Sequence, residues 1–374
     1  MWHDRRVRNP ASGIGTAKML TRFAPSPSGP LHLGHAYSAV QAALRGGTMR
    51  LRIDDIDGTR SRDEHVDAAL ADLAWLGLEW EPPLWRQSKH LAAYAAALDR
   101  LMAMELAYPC FCTRADIAAS MAAPHGPSGA VYPGTCRALS AQQRAAQMQE
   151  KPFAWRLDMA RAAAAAGPLQ AINNGAVVTF DPLPHGDVVI ARKDAPASYH
   201  LASTVDDAAM GITLVVRGDD LRDATAVHLL LQRLLGLPTP AYHHHALVCG
   251  PDGQRLAKRD RPATLAALRE SGVDGQELAA RLRVHQLPAG YSLATGKGPS
   301  MNALLILGVV IAAGLVLVAL ARGLFHFTQS HQAEMDGTLK ENQLMQNRMM
   351  MARVKWQAIT ILLLILIGIF AASA

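Results

Sequence analysis

Residues 22–35 read RFAPSPSGPLHLGH, a run in which Arg22-Phe23-Ala24-Pro25-Ser26 leads through Pro, Ser and Gly to His32-Leu33-Gly34-His35. A short hydrophobic entry precedes it, so the run predicts the end of a strand, a tight turn, and a helix opening at His35-Ala36-Tyr37. A helix start offers unpaired N–H groups and a positive dipole end, which is the geometry of a phosphate site. His32 and His35 can add imidazole donors, and Gly34 lets a ligand lie against the backbone. Read alone, HLGH is equally a Pro-rich loop with incidental histidines, so the rest of the chain has to decide.

Working outward, residues 49–54 (MRLRID) predict a strand that runs into the acidic turn Asp54-Asp55-Ile56-Asp57-Gly58. Carboxylates there would face the same crevice as the phosphate turn and could hold an ammonium group. Residues 64–76, 89–106 and 227–235 have helical apolar spacing, and 176–180 and 187–191 are strand-like. The alternation predicts an α/β fold with a doubly wound, mostly parallel sheet. Residues 214–221, LVVRGDDL, form an apolar strand that delivers Arg217 to its end. A buried guanidinium is costly unless it is paired or faces a crevice, and its planar fork suits a carboxylate. Adjacent histidines in a strand point to alternating faces, so His243, His244 and His245 do not read as one metal site.

The chain has 374 residues, half of them hydrophobic, and a formal charge of +6. That is room for more than one unit and compatible with a polyanionic partner. Residues 1–18 are basic and lack an apolar core, so they read as an extension and not an export signal, with Met19 an alternative start. Four cysteines stand at 110, 112, 136 and 249. Without a secretory signal, reduced thiols and a metal cluster fit better than disulfides. Cys110, Cys112 and Cys136 can supply three ligands of a tetrahedral zinc, and by donor chemistry His125 would be the fourth. Cys249 stands alone and reads as a buried thiol.

The string RFAPSPSGPLHLGH closely resembles the first signature of the class I glutamyl-tRNA synthetase family. That resemblance implies a Rossmann-type catalytic domain over residues 19–290, with His32, Gly34 and His35 holding ATP. RLAKR (255–259) resembles the second signature of the class, which puts Lys258 over the triphosphate as a catalytic group beside His32 and His35. LRIDDIDGTRSR resembles the family's RIED segment, with Asp54 where the family has Glu, and the 197–207 segment ASYHLASTVDD puts Tyr199 against substrate. With Arg22, Phe23, Ala24, Pro25, Ser26 and Arg217 these residues make the implied L-glutamate pocket. CFCTR…YPGTCR resembles the zinc insert of synthetase-like proteins, at about 108–140, and puts the fourth ligand at Tyr132 instead of His125.

Only residues 259–290 follow Lys258 before a Gly-rich linker at 291–302, too few for the large helical domain with which full synthetases read an anticodon. The compact form resembles the truncated branch that attaches glutamate to the queuosine base of tRNA(Asp), and this implies Mg2+ with ATP, a bound Zn2+ and a monomeric, cytoplasmic catalytic part. An ordinary glutamyl-tRNA synthetase is the alternative within the family.

Residues 303–321 and 358–374 are uninterrupted apolar runs, each close to bilayer-spanning length. They predict a transmembrane hairpin over 303–374, and the NRMMMARV stretch at 347–354 resembles the hypoxia-induced family of twin-transmembrane proteins linked to respiratory complexes. The joining segment carries Arg322, Lys340, Arg348, Arg353 and Lys355, which by the positive-inside rule would put the catalytic part outside the cell, away from ATP and tRNA. Two readings follow: the hairpin inserts against its charge bias and tethers the enzyme to the inner membrane, or Met301 begins a separate product. A membrane assembly factor with a vestigial synthetase is a third, opposed by the intact His32, His35, Arg217 and Lys258.

Overall fold

In this computed structural model the described residues are 19–113, 116, 125–126, 129–251, 256, 264–294 and 350, with the backbone alone at 125–126 and 129–130. The expected hairpin, apart from Met350, and Lys258 lie outside them. Among the described residues no helix is long and apolar enough to cross a membrane.

The first half of the sheet is built as β1 (Leu20–Phe23), α1 (Leu33–Arg45), β2 (Thr48–Ile53), α2 (Asp63–Trp75) and β3 (Glu81–Arg86), followed by α3 (Leu91–Ala103). β1 pairs with β2 and β2 with β3, both parallel. A small antiparallel sheet follows, in which β4 (Ala107–Cys110) and β10 (Val189–Ala191) flank β7 (Ala154–Leu157). Between β4 and β7 lie the short ribbon β5 (His125–Gly126) and β6 (Gly129–Ala130), then α4 (Ala141–Glu150). The chain continues through α5 (Met159–Ala166), β8 (Leu169–Asn173) and β9 (Ala176–Phe180). After β10 come α6 (Tyr199–Ala209), β11 (Leu214–Gly218), α7 (Ala224–Leu234), β12 (Ala241–His245) and β13 (Leu247–Cys249). α8 (Leu265–Glu270), α9 (Gly275–Arg283) and β14 (Ser292–Ala294) close the described part. Residues 292–294, expected as the start of a linker, are therefore a strand, paired antiparallel to β13.

β11 pairs parallel with β12, and β12 with β8, while β9 adds an antiparallel edge. β11 also meets β1: Thr213 N–H donates to the Leu20 carbonyl at 3.0 Å, and Arg22 Nη1 donates to the Val216 carbonyl at 3.2 Å. The strand order thus runs outward from β1 on one side and from β11 on the other, which opens a crevice at their carboxyl ends.

Strand alternation sorts the side chains into two apolar layers. Leu214 and Val216 of β11 pack with Ala36 and Val40 of α1, Leu73 of α2 and Leu282 of α9. Val215 of the same strand packs with Leu201 of α6, Leu230 of α7 and Tyr242 of β12. On β2, Met49, Leu51 and Ile53 take the α1 side, so the intervening Arg50 and Arg52 take the α6 side. Parallel register sets Arg22 beside Arg50, and the same alternation puts Arg217 on that face.

Candidate active site

The crevice between β1 and β11 is a cavity of about 550 Å³. It is lined by Arg22, Phe23, Ala24, Pro25, Ser26, His32, Gly34, His35, Asp54, Tyr199 and Arg217, so every predicted pocket residue among the described ones reaches it. Ser38, Asp220, His245, Leu247 and Val248 also contribute to its wall.

α1 opens at Leu33, two residues earlier than its sequence suggests. The reason is a capping box made of histidines. His32 Nδ1 accepts from Gly34 N–H at 3.1 Å, and His35 Nδ1 accepts from the His32 N–H at 3.2 Å. The usual cap is Ser, Thr, Asp or Asn, and His32 does the same work with a ring nitrogen. An imidazole that accepts at Nδ1 carries its proton on Nε2, so both rings are fixed as Nε2–H donors. Their centroids are 3.8 Å apart at the dipole-positive end of α1. Gly34 has no room to spare: a Cβ there would lie 3.0 Å from the His32 ring.

Arg22 and Arg52 converge on α6. Arg22 Nε donates to Asp207 Oδ1 at 2.9 Å, and Arg52 Nη1 donates to the same oxygen at 2.7 Å. Arg52 also holds Asp54, through Nε at 2.6 Å and Nη2 at 3.3 Å, and donates to Ser203 Oγ at 3.1 Å. Asp206 lies 3.8 Å from Arg52 and accepts from Gln87 Nε2 at 2.7 Å and from the Tyr94 hydroxyl at 2.8 Å. Burial raises the Asp54 and Asp206 carboxyls above their ordinary value. Burial pulls Asp207 the same way, but the charges of Arg22 and Arg52 outweigh it and hold that carboxyl low. Asp54 thus reaches the cavity already engaged by Arg52, a constraint its sequence position did not reveal.

Arg52, Asp206 and Asp207 were not among the residues expected from sequence. The alternation of Arg50 and Arg52 with Met49, Leu51 and Ile53 was the available signal for a polar face of β2. Nothing local marked the Asp pair, which is 185 residues from Arg22 and sits on an ordinary amphipathic helix.

Arg217 Nη1 donates to the Tyr199 hydroxyl at 3.3 Å, which ties the two predicted substrate residues together. The histidine triplet splits by strand alternation: His244 reaches Arg217 at 3.3 Å, whereas His245 Nε2 accepts from the Ser38 hydroxyl of α1 at 2.7 Å. Cys249 is buried.

The sulfurs of Cys110, Cys112 and Cys136 lie within 4.8 Å of one another. Cys112 Sγ is 3.5 Å from Cys136 Sγ and 3.6 Å from the Tyr132 hydroxyl, whose oxygen accepts from the Cys136 N–H at 2.7 Å. A tetrahedral zinc with bonds of about 2.3 Å to sulfur sets neighbouring thiolates nearly 4 Å apart, so the donor set fits such an ion. The Arg156 guanidinium packs 4.0 Å over the Tyr132 ring. The side chain of His125 lies outside the described residues.

Comparisons with known proteins agree with this architecture. Residues 18–288 match the catalytic domain of tRNA synthetases class I (E and Q), and residues 308–367 match the hypoxia induced protein conserved region. The chain is 42% identical over 275 residues to the glutamyl-Q tRNA(Asp) synthetase of Rhodobacter capsulatus, covering 70% of this chain and 98% of that protein. It is 43% identical over 281 residues to the protein of the same name from Symbiobacterium thermophilum, covering 70% and 84%. Its fold is similar to that of a glutamate-tRNA synthetase from Elizabethkingia anophelis, with a TM-score of 0.58 at 22% identity over 84% of this chain and 75% of that one.

Proposed function

The chain belongs to the class I tRNA synthetases for Glu and Gln, and on that premise we propose that it activates L-glutamate with ATP and transfers it to queuosine in tRNA(Asp). The observation that carries the reading is one crevice holding both halves of the chemistry: two Nε2–H imidazoles at a helix start, and a carboxylate-binding wall of Arg22, Arg217 and Tyr199.

In this reading an α-carboxylate oxygen of glutamate attacks the α-phosphorus of ATP. The bond to the bridging oxygen breaks and pyrophosphate leaves, giving glutamyl-adenylate. A hydroxyl of the queuosine ring then attacks the acyl carbon, AMP departs, and the hydroxyl proton is released. The residues mainly position reactants and stabilise phosphate charge, so no protein nucleophile is needed. His32, His35 and the N–H groups of α1 would hold phosphate oxygens, joined by Lys258. Arg22, Arg217 and Tyr199 would hold the glutamate carboxylates, and the Asp54 side of the wall would take its ammonium group. Mg2+ would accompany ATP as its counter-ion. Cys110, Cys112, Cys136 and Tyr132 would hold a structural Zn2+ that ties the end of β4 to the residues just before α4.

The catalytic unit is read as 19–290. Residues 303–374 are read as a hairpin in the membrane, tethering the enzyme to its inner face, a reading supported by the two apolar runs and the match over 308–367. The test of the enzymatic reading is labelled glutamate incorporation into tRNA(Asp) with and without queuosine. Incorporation is expected only with the modified base, and incorporation indifferent to it would overturn the assignment.

A further inference from the structure

Arg22 and Arg217 reach the crevice from adjoining strands, and their surroundings differ in charge. Arg22 is ion-paired with Asp207. Arg217, only 4% exposed, donates to neutral acceptors alone. Its Nε goes to His244 Nε2 at 3.3 Å, Nη1 to the Tyr199 hydroxyl and His228 Nδ1, both at 3.3 Å, and Nη2 to Thr225 Oγ1 at 2.7 Å. None of the ion pairs among the described residues uses Arg217. The buried carboxylate that feels its charge, Asp207, is already held by Arg22 and Arg52.

The protons of this shell follow from its hydrogen bonds. His244 Nδ1 faces Asn173 Oδ1 at 2.8 Å and donates to it, which leaves the Nε2 lone pair for Arg217 and for the Thr225 hydroxyl at 3.1 Å. His228 accepts at Nδ1, so its proton is on Nε2. An imidazolium could do neither. Burial first, then the charge of Arg217, keeps His228 well below the ordinary imidazole range and His244 down at about 2.

We propose that His228 and His244 are specificity-positioning residues: they bind Arg217 without neutralising it, so that its charge is completed by a substrate carboxylate and not by an amide. A buried guanidinium left without a counter-charge is unfavourable, and a carboxylate relieves that cost where a carboxamide supplies only a dipole. A carboxylate built into the protein at either histidine would satisfy Arg217 internally and remove the advantage of glutamate over glutamine.

The inference rests on the crevice being the glutamate site, and the experiment separates the two. ATP–pyrophosphate exchange is measured with glutamate and with glutamine for the full chain and for His228→Asp, His228→Leu and His228→Asn, with thermal melting as the check on folding. Wild type is expected to prefer glutamate strongly, and failure there defeats the functional reading itself. His228→Asp is expected to lower kcat/KM for glutamate on the order of ten- to a hundredfold, through KM, with little change for glutamine. His228→Leu, which removes the Nδ1 acceptor without adding a charge, is expected to raise the glutamate KM severalfold, and His228→Asn to restore it. A wild-type glutamate-to-glutamine ratio in folded His228→Asp, or an unchanged glutamate KM in folded His228→Leu, would overturn the proposal.

Discussion

Asp207→Asn is expected to loosen both the fold and the substrate pocket. Asp207 Oδ1 receives Arg22 at 2.9 Å and Arg52 at 2.7 Å, and the three side chains are at most 5% exposed. Asparagine keeps the shape but offers one uncharged oxygen to two guanidinium groups. Removing one partner of a buried ion pair costs about 3–5 kcal/mol. Asp54 remains bonded to Arg52 at 2.6 Å, which puts the expected loss near the lower end. At about 2 °C per kcal/mol for a catalytic part of this size, the unfolding midpoint should fall by roughly 6 °C. The KM for glutamate in ATP–pyrophosphate exchange should rise with it, because Arg22 loses its anchor. The pH dependence has a definite sign. Burial raises the Asp207 carboxyl but Arg22 and Arg52 outweigh it, so the folded value lies below the unfolded one of about 3.9. The stabilisation is complete above that unfolded value and is lost as pH falls through the lower folded one. Wild type and variant should therefore differ by a constant amount from pH 6 to 8 and converge in acid. A midpoint within about 1 °C of wild type at pH 7, together with an unchanged glutamate KM, would refute the reasoning.

Three further outcomes are expected. Lys258→Ala should abolish adenylate formation, and undiminished ATP–pyrophosphate exchange would remove that lysine from the site. The wild-type chain should carry about one zinc, lost in Cys110→Ser, as read by elemental analysis; a metal-free wild type would exclude the Cys/Tyr site. His32→Ala removes the α1 cap, worth about 1 kcal/mol, and one Nε2–H donor, so the KM for ATP should rise; an unchanged value would put the ring outside the phosphate site.

The membrane reading has its own test in peptide mass spectrometry of fractionated cells. A peptide crossing Met301 in the membrane fraction would mean a tethered synthetase, and separate products on either side of Met301 would mean two independent proteins.

Short-range chemistry was legible in the sequence by itself. The run from Arg22 to His35 announces strand, turn and helix because Pro, Gly and apolar spacing act on their own neighbours. The strand 214–218 and its delivery of Arg217 to a crevice follow from an apolar run interrupted by one cation. The close grouping of Cys110, Cys112 and Cys136 follows from their spacing. What only tertiary structure decided is which charges meet. Asp207 satisfies two arginines from other strands, and Asp54 is drawn to Arg52. His32 starts its helix early because its ring, and not a hydroxyl, accepts the backbone N–H. His228 and His244 look interchangeable with core histidines until β11, β12 and α7 bring both to Arg217. Local pattern fixes the conformation of a segment because the forces are between neighbours in the chain. The balance of charge in a buried site is a sum over residues nearly two hundred positions apart, and only the packed sheet brings its members together.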